Sequence, residues 1–261
     1  MDDSQVDRYL DRIGAGRPVR ADAGALAELQ LHHLRSVPFE NLSIHLGEPI
    51  VLEEAVLVDK LVERHRGGFC YELNGAFAAL LAALGYQVTL LGARVHTPDG
   101  LGPPFDHLAL RVDTDTTESW LVDVGFGSFS HHPLRLDHRA DQPDPVGSFR
   151  ITPTADGDLE VTRDGEPQYR LEPRPRRLAD FTPTCWWHQT SPASHFTRAL
   201  VCSLLTRTGR ITLSDRTLIE TTPSGRHERV LSDDTEVLDT YRTRFGIDLD
   251  RLPPRSRSGG R

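Results

Sequence analysis

Arg66-Gly67-Gly68-Phe69-Cys70-Tyr71-Glu72-Leu73-Asn74 is the stretch on which the reading of this chain turns. Two adjacent glycines let the backbone turn tightly. The apolar positions that follow, Ala76, Ala79, Leu80, Ala83 and Leu84, recur at helical spacing, and Gly85 supplies a stop. The pattern predicts a helix that opens at Cys70. A thiol at a helix start faces unpaired N–H groups, whose partial positive charge favours the nucleophilic thiolate. The competing reading is a small buried core residue, and the Gly-Gly entry weighs against it.

A thiolate needs a base, and the base needs an orienting partner. Beyond the helix the pattern changes to short β-type runs, 88–95, 107–112 and 119–124, separated by Pro, Gly and Asp. His107 begins one run, in Asp106-His107-Leu108-Ala109-Leu110. Asp123 ends another, in Trp120-Leu121-Val122-Asp123-Val124-Gly125-Phe126-Gly127. Adjacent antiparallel strands would set His107 and Asp123 side by side. A helix-borne Cys followed by strand-borne His and Asp is similar to the arrangement in papain-like and transglutaminase-like thiol enzymes.

Outward from this centre, Val6, Tyr9, Leu10 and Ile13 predict a first helix stopped by Gly14, and Leu26, Leu29 and Leu34 a second that ends before Pro38. A third amphipathic stretch covers 52–64. The runs 148–152, 158–163 and 169–171 continue the sheet. Runs 197–205, 210–213, 217–222 and 229–231 read as later strands. Residues 233–245 read as a capped helix stopped by Gly246. The Pro- and Arg-rich end from Pro253 lacks apolar residues able to form a core and is expected to be disordered.

The 261 residues carry 38 acidic against 30 basic side chains, a net charge of −8. That balance disfavours binding along a nucleic-acid backbone or an anionic membrane. Lys60 is the only lysine among those 30, which suggests the codon bias of a GC-rich genome. The start is acidic, without a signal-peptide pattern. The longest nearly apolar run, 76–84, is nine residues, against about 18 for a membrane span. Three cysteines make no disulfide framework, so a cytoplasmic protein with reduced thiols is expected, with Cys185 and Cys202 in packing positions. His32-His33 and His131-His132 lack metal-ligand spacing, and no metal site is expected. Trp186-Trp187 reads as a packed hinge.

With these motifs in place, the chain resembles the arylamine N-acetyltransferases over nearly its whole length. Pro38-Phe39-Glu40-Asn41-Leu42, Arg66 to Asn74, Leu84-Gly85-Tyr86-Gln87-Val88, Gly92-Ala93-Arg94-Val95, His107, Asp123 to Gly127, Ser194-His195-Phe196-Thr197 and Gly209 to Leu213 carry the resemblance. It implies an α+β fold with a cysteine-protease/transglutaminase-like core. The segments would be an N-terminal helical bundle with the nucleophile (1–86), an antiparallel β-barrel with His107 and Asp123 (87–190) and a C-terminal α/β lid (191–252), ahead of the disordered tail (253–261).

The resemblance further implies acetyl transfer from acetyl-CoA to an arylamine, a hydrazine or an N-hydroxyarylamine, by a ping-pong route through acetyl-Cys70. His107 would take the proton, Asp123 would hold the imidazole, and no tightly bound cofactor would be needed. Phe39, Val95, Gly125, Phe126, Gly127 and Phe196 match positions that line the acceptor pocket, Gly125 and Gly127 keeping the cleft open beside the thiol. Glu40 and Arg66 are expected to pair. The match lapses at Ser128-Phe129-Ser130-His131-His132, where the family has small residues and threonine. With no lysine beyond residue 60, the CoA phosphates would fall to arginine, with Arg198, Arg207 and Arg210 as candidates. A homodimer is compatible with this reading. Three alternatives stay open: an amide synthase that releases or cyclises an arylamine-primed polyketide, a thiol amidohydrolase on the same residues, and a non-catalytic binding module.

Overall fold

Asp2 accepts a hydrogen bond from the Gln5 N–H at 2.8 Å and starts the first helix, α1 (Asp3–Ile13), which Gly14 ends in the left-handed conformation. The computed structural model describes residues 1–116 and 118–253. After α1 come α2 (Ala23–Ser36), a two-residue strand β1 (Phe39–Glu40), α3 (Leu42–Leu46), α4 (Glu54–Val58) and α5 (Cys70–Ala83). The stretch 52–64 is not one regular helix. α4 widens into a π-helical turn over Asp59–Glu63, and the wider turn lets Leu57, Val58, Lys60, Leu61 and Val62 all be buried. α5 is buried on nearly every side, because α1 and α4 cover one face and the sheet covers the other.

That sheet is antiparallel throughout. It comprises β2 (Gln87–Thr97), β3 (Gly100–Leu101), β4 (His107–Asp113), β5 (Ser119–Val122), β6 (Leu134–Arg135), β7 (Gln142–Asp144), β8 (Gly147–Pro153), β9 (Leu159–Arg163) and β10 (Glu166–Arg176). The strand order β6-β5-β4-β2-β10-β9-β8-β7, with β3 beside β2, forms a nearly closed barrel. The end strands meet through a side chain. Gln142 Nε2 donates to the Arg135 carbonyl at 3.0 Å, and Gln142 Oε1 accepts from the Arg135 N–H at 2.6 Å.

Alternation along β4 and β5 joins two cores. Leu108, Leu110, Val112 and Val122 pack with the helices, whereas Ala109 and Leu121 point into the barrel beside Phe149, Ile151 and Tyr169. Both faces of these strands are therefore apolar.

The remainder comprises α6 (Thr182–Thr190), α7 (His195–Arg198), β11 (Val201–Leu205), β12 (Arg210–Ser214), β13 (Thr217–Thr222), β14 (Gly225–Val230) and α8 (Asp234–Phe245). A second antiparallel sheet has the order β1-β11-β12-β13-β14, so the early residues Phe39 and Glu40 pair with Ser203 and Cys202. α8 closes a third core over this sheet through Val237, Tyr241 and Phe245.

Several expectations change. The run 197–205 is not one strand, because Ser194 Oγ accepts from the Phe196 N–H at 3.2 Å and caps the turn α7. α3 and α6 carry no strong periodic signal and were not anticipated. The Trp186-Trp187 hinge is only partly packed, since Trp186 lies on α6 with 64% of its surface exposed. The expected disorder of the tail falls on 254–261, outside the described residues.

Candidate active site

Cys70 is the first residue of α5. Phe69 before it is extended, and the Glu72 carboxylate accepts the Phe69 N–H at 3.2 Å, fixing the helix start. The two glycines are needed for room and not for a left-handed turn, since neither has a positive φ. A Cβ on Gly67 would lie 1.9 Å from the Pro38 carbonyl oxygen, and one on Gly68 would lie 2.7 Å from Glu72 Cβ. This closeness lets the Glu40 N–H donate to the Gly68 carbonyl at 2.9 Å.

His107 opens β4 and Asp123 follows β5, its antiparallel neighbour. His107 Nε2 lies 2.7 Å from Asp123 Oδ2, with both side chains buried. Nε2 being taken, Nδ1 is the ring nitrogen left for proton transfer. The other carboxylate oxygen, Asp123 Oδ1, accepts from Asn74 Nδ2 and from the Gly125 N–H, each at 2.9 Å. Asn74 lies one turn beyond Cys70 on α5, and its own oxygen accepts from the Val124 N–H at 2.9 Å. Gly125 packs directly on the helix start, where a Cβ would stand 2.7 Å from Cys70 Cα. It brings the loop against the nucleophile's backbone and does not hold space open.

Cys70 and His107 open onto one cavity of about 240 Å³, walled by Phe39, Val95, Phe126 and Phe196. Gly125 also borders it. Gly127 does not: its contact is with the Phe39 ring, 3.7 Å from where a Cβ would stand. The Phe126 ring meets His107 edge-on at 5.2 Å, and Phe39 lies 6.2 Å from Phe196. Walls of this kind accept a flat ring by offset or edge contacts.

The electrostatics depart from the sequence-based expectation at the thiol. Burial pushes the Cys70 thiol well above its ordinary value, and the carboxylates of Asp106 and Asp123 add to the rise. Burial thus opposes the thiolate that the helix start favours. Beneath the site, the expected Glu40–Arg66 pair is present at 3.0 Å, and Lys60 joins Glu72 at 2.6 Å. Burial alone would raise the Glu40 carboxyl. Lys60, Arg66 and the Leu42 N–H together outweigh it and hold Glu40 below its usual range.

An N-acetyltransferase family model matches residues 22–253. The arylamine N-acetyltransferase of Mycolicibacterium smegmatis is 37% identical, over 95% of this chain and 93% of its own length. The chain belongs to the arylamine N-acetyltransferase family. A pineal-gland arylamine N-acetyltransferase of Gallus gallus is 33% identical over 94% of this chain and 95% of its own. Among solved structures, the M. tuberculosis arylamine N-acetyltransferase superposes with a TM-score of 0.84 at 36% identity, covering 93% of each chain. The Mycobacterium marinum enzyme in complex with CoA gives 0.85 at 34% identity, covering 93% of this chain and 92% of that one.

In this arylamine N-acetyltransferase family member, three site residues escaped the sequence reading. Asn74 had a signal, since it lies four residues after Cys70 on one helical face. Asp106 and His188 had none. His188 Nε2 lies 3.0 Å from Asp106 Oδ1 across eighty-odd residues of chain, a proximity only the fold creates. Cys185 and Cys202 are buried as expected. His33 is buried against Tyr9, and the backbone N–H groups of His131 and His132 donate to Asp144. Among the described residues no group of three or more His, Cys, Asp or Glu could hold a metal, and no helix is long and apolar enough to cross a membrane.

Proposed function

We propose that this protein transfers the acetyl group of acetyl-CoA to aromatic amines and hydrazines through an acetyl-Cys70 intermediate, and O-acetylates N-hydroxyarylamines by the same route. The carrying observation is that Cys70 and the Asp123-bound His107 open onto one aromatic-walled cavity. The complex of the M. marinum relative with CoA supports CoA as the donor's carrier.

In the first half-reaction Cys70 passes its proton to His107 Nδ1 and its sulfur attacks the acetyl carbonyl. The carbonyl–sulfur bond to CoA breaks, and the imidazolium returns the proton to the departing CoA thiolate. In the second, the amine nitrogen attacks acetyl-Cys70. His107 takes a proton from that nitrogen and delivers it to the Cys70 sulfur as the amide leaves. Asp123 orients the imidazole and stabilises its cationic form, and proton transfer of this kind contributes about 10²–10⁴-fold. The Cys70 backbone N–H, in the first turn of α5, is the donor for the developing oxyanion.

The helix-borne cysteine beside paired strands supports a cysteine-protease-like core, and Phe196 and Val201 support a lid role for 191–252. Reduced thiols fit a cytoplasmic setting. Intact-mass spectrometry after acetyl-CoA should show one acetyl group, discharged by an aryl hydrazine and absent in Cys70→Ala. A protein that stays unacetylated, or whose CoA release ignores the amine, rejects the proposal.

A further inference from the structure

The thiol cavity holds one fixed charge. Its polar side chains are Cys70, Asp106, His107 and His195, and the rest of its wall is apolar or glycine. Asp106 is its one acid, and among the described residues no lysine or arginine lines it. Arg207 and Arg210 border a separate recess at the β11–β12 turn. Arg198 acts on His195 from α7 without lining the cavity. Burial lowers His195 and His188 lowers it further, so it adds no standing cation at neutral pH.

Several contacts hold Asp106 at this wall. Phe105 before it has a φ of 61°, a left-handed conformation unfavourable for a bulky residue. Tyr71 Oη fixes that bend, donating to the Phe105 carbonyl at 2.7 Å and reaching the Asp106 carbonyl at 3.1 Å. Gly102 passes so close that a Cβ there would lie 2.1 Å from Asp106 Oδ2. Oδ2 accepts the Val95 N–H at 3.3 Å. Oδ1 stands 3.0 Å from His188 Nε2 without a hydrogen bond between them, so it keeps room to accept from a ligand.

The side chain is 10% exposed, which leaves its charge weakly screened. The charge reaches the reaction centre: it contributes to the rise of Cys70, whose Sγ lies 4.0 Å from the Asp106 carbonyl. In a cavity of about 240 Å³, any ring beside the thiol sits within the same field. An anionic substituent would leave water for a space that has no cation to receive it and already contains a carboxylate. An amide or amidinium substituent brings N–H donors that a carboxylate oxygen can accept.

We propose that Asp106 selects acceptors by charge, admitting neutral and cationic aromatic amines and hydrazines and turning away those with a carboxylate or sulfonate on the ring. The selection rests on the acetyl-transfer reading and names the substrate class of that same site.

The test uses acetyl-CoA with three acceptors of nearly one shape: p-aminobenzoate, p-aminobenzamide and p-aminobenzamidine. The carboxylate withdraws less from the ring than the amide does, so its amine is intrinsically the better nucleophile, and a preference for the amide reports the cavity. Wild type should favour the amide over the benzoate by about tenfold or more in kcat/KM. Asp106→Asn keeps an acceptor for the Val95 N–H and removes the charge. It should close most of that gap and should lower the amidine relative to the amide. A wild type that takes the benzoate as readily as the amide, or a ratio that Asp106→Asn leaves unchanged, overturns the assignment while leaving acetyl transfer intact. If Asp106→Asn does not fold, His195→Lys decides by placing a cation on the same wall: a gain for the benzoate over the amide sustains the selection, and an unchanged ratio rejects it. If wild type acetylates none of the three, the acetyl-transfer reading fails. Protection of Cys70 from iodoacetamide then reads the cavity alone: stronger protection by the amide and amidine than by the benzoate sustains the selection, and equal or absent protection rejects it.

Discussion

Asn74 ties the helix that carries Cys70 to the carboxylate that holds His107, its Nδ2 donating to Asp123 Oδ1 at 2.9 Å. The same amide nitrogen reaches the Leu108 carbonyl at 2.6 Å, so one side chain sets the spacing of α5, β4 and the loop after β5. Asn74→Ala takes one donor from Asp123 Oδ1 and leaves the Val124 N–H without its acceptor, and should lower stability by about 1–3 kcal/mol. Its kcat should fall by an order of magnitude or more, with KM for the acceptor little changed. Equal kcat in a folded variant would show that the tie is structural only.

In the proposed mechanism the Cys70 thiol depends on the His107 imidazole. Burial raises Cys70, so at fixed pH each unit of rise removes tenfold of the thiolate. In His107→Gln the base that the proposed mechanism pairs with the thiol is gone. Iodoacetamide alkylation of Cys70 at neutral pH should then drop by about a hundredfold or more, and recover about tenfold per pH unit on the alkaline side. An alkylation rate near that of wild type would mean the helix start activates the thiol unaided.

His33 makes the fold acid-sensitive. Burial, reinforced by Arg12, lowers it from 6.5 to about 3. The unfolded chain takes up a proton below ~6.5 while the native chain does not until about 3. Stability is thus fully present above ~6.5 and declines as pH falls, by up to ~1.4 kcal/mol per unit. Urea melts of His33→Gln between pH 7 and 4 should show a shallower decline than wild type. Parallel curves would remove His33 as the cause.

The Glu40–Arg66 pair is costly to break from one side. Arg66→Met leaves the buried Glu40 carboxylate with fewer cations and should destabilise by roughly 3–5 kcal/mol. A urea midpoint within experimental scatter of wild type would show that Lys60 suffices.

Legibility in the sequence followed the range of the forces involved. The start of α5 was readable because Gly-Gly, Glu72 and a helical apolar pattern act within one turn. β4 and β5 were readable because both faces are apolar. The role of the glycines was misread, since Pro38 approaches Gly67 from a distant part of the chain. α7 was misread because a single Ser194 cap outweighs a strand-like composition. The Asp106–His188 contact comes from tertiary packing, and no local periodicity encodes it.

The walls of the thiol cavity have separate origins. His107 on β4 and Asp123 just after β5 are held where those strands lie between two cores, whereas Phe39 and Val201 belong to the small sheet β1-β11-β12-β13-β14. On the proposed reading, part of the wall that meets the ring thus comes from a different sheet from the groups that move protons, the remainder, Val95 and Phe126, lying on the barrel side. On that reading, variation at Phe39 or Val201 can reshape which ring fits without touching His107 or Asp123, which makes the small sheet the natural place for selection, natural or in the laboratory, to diversify the enzyme.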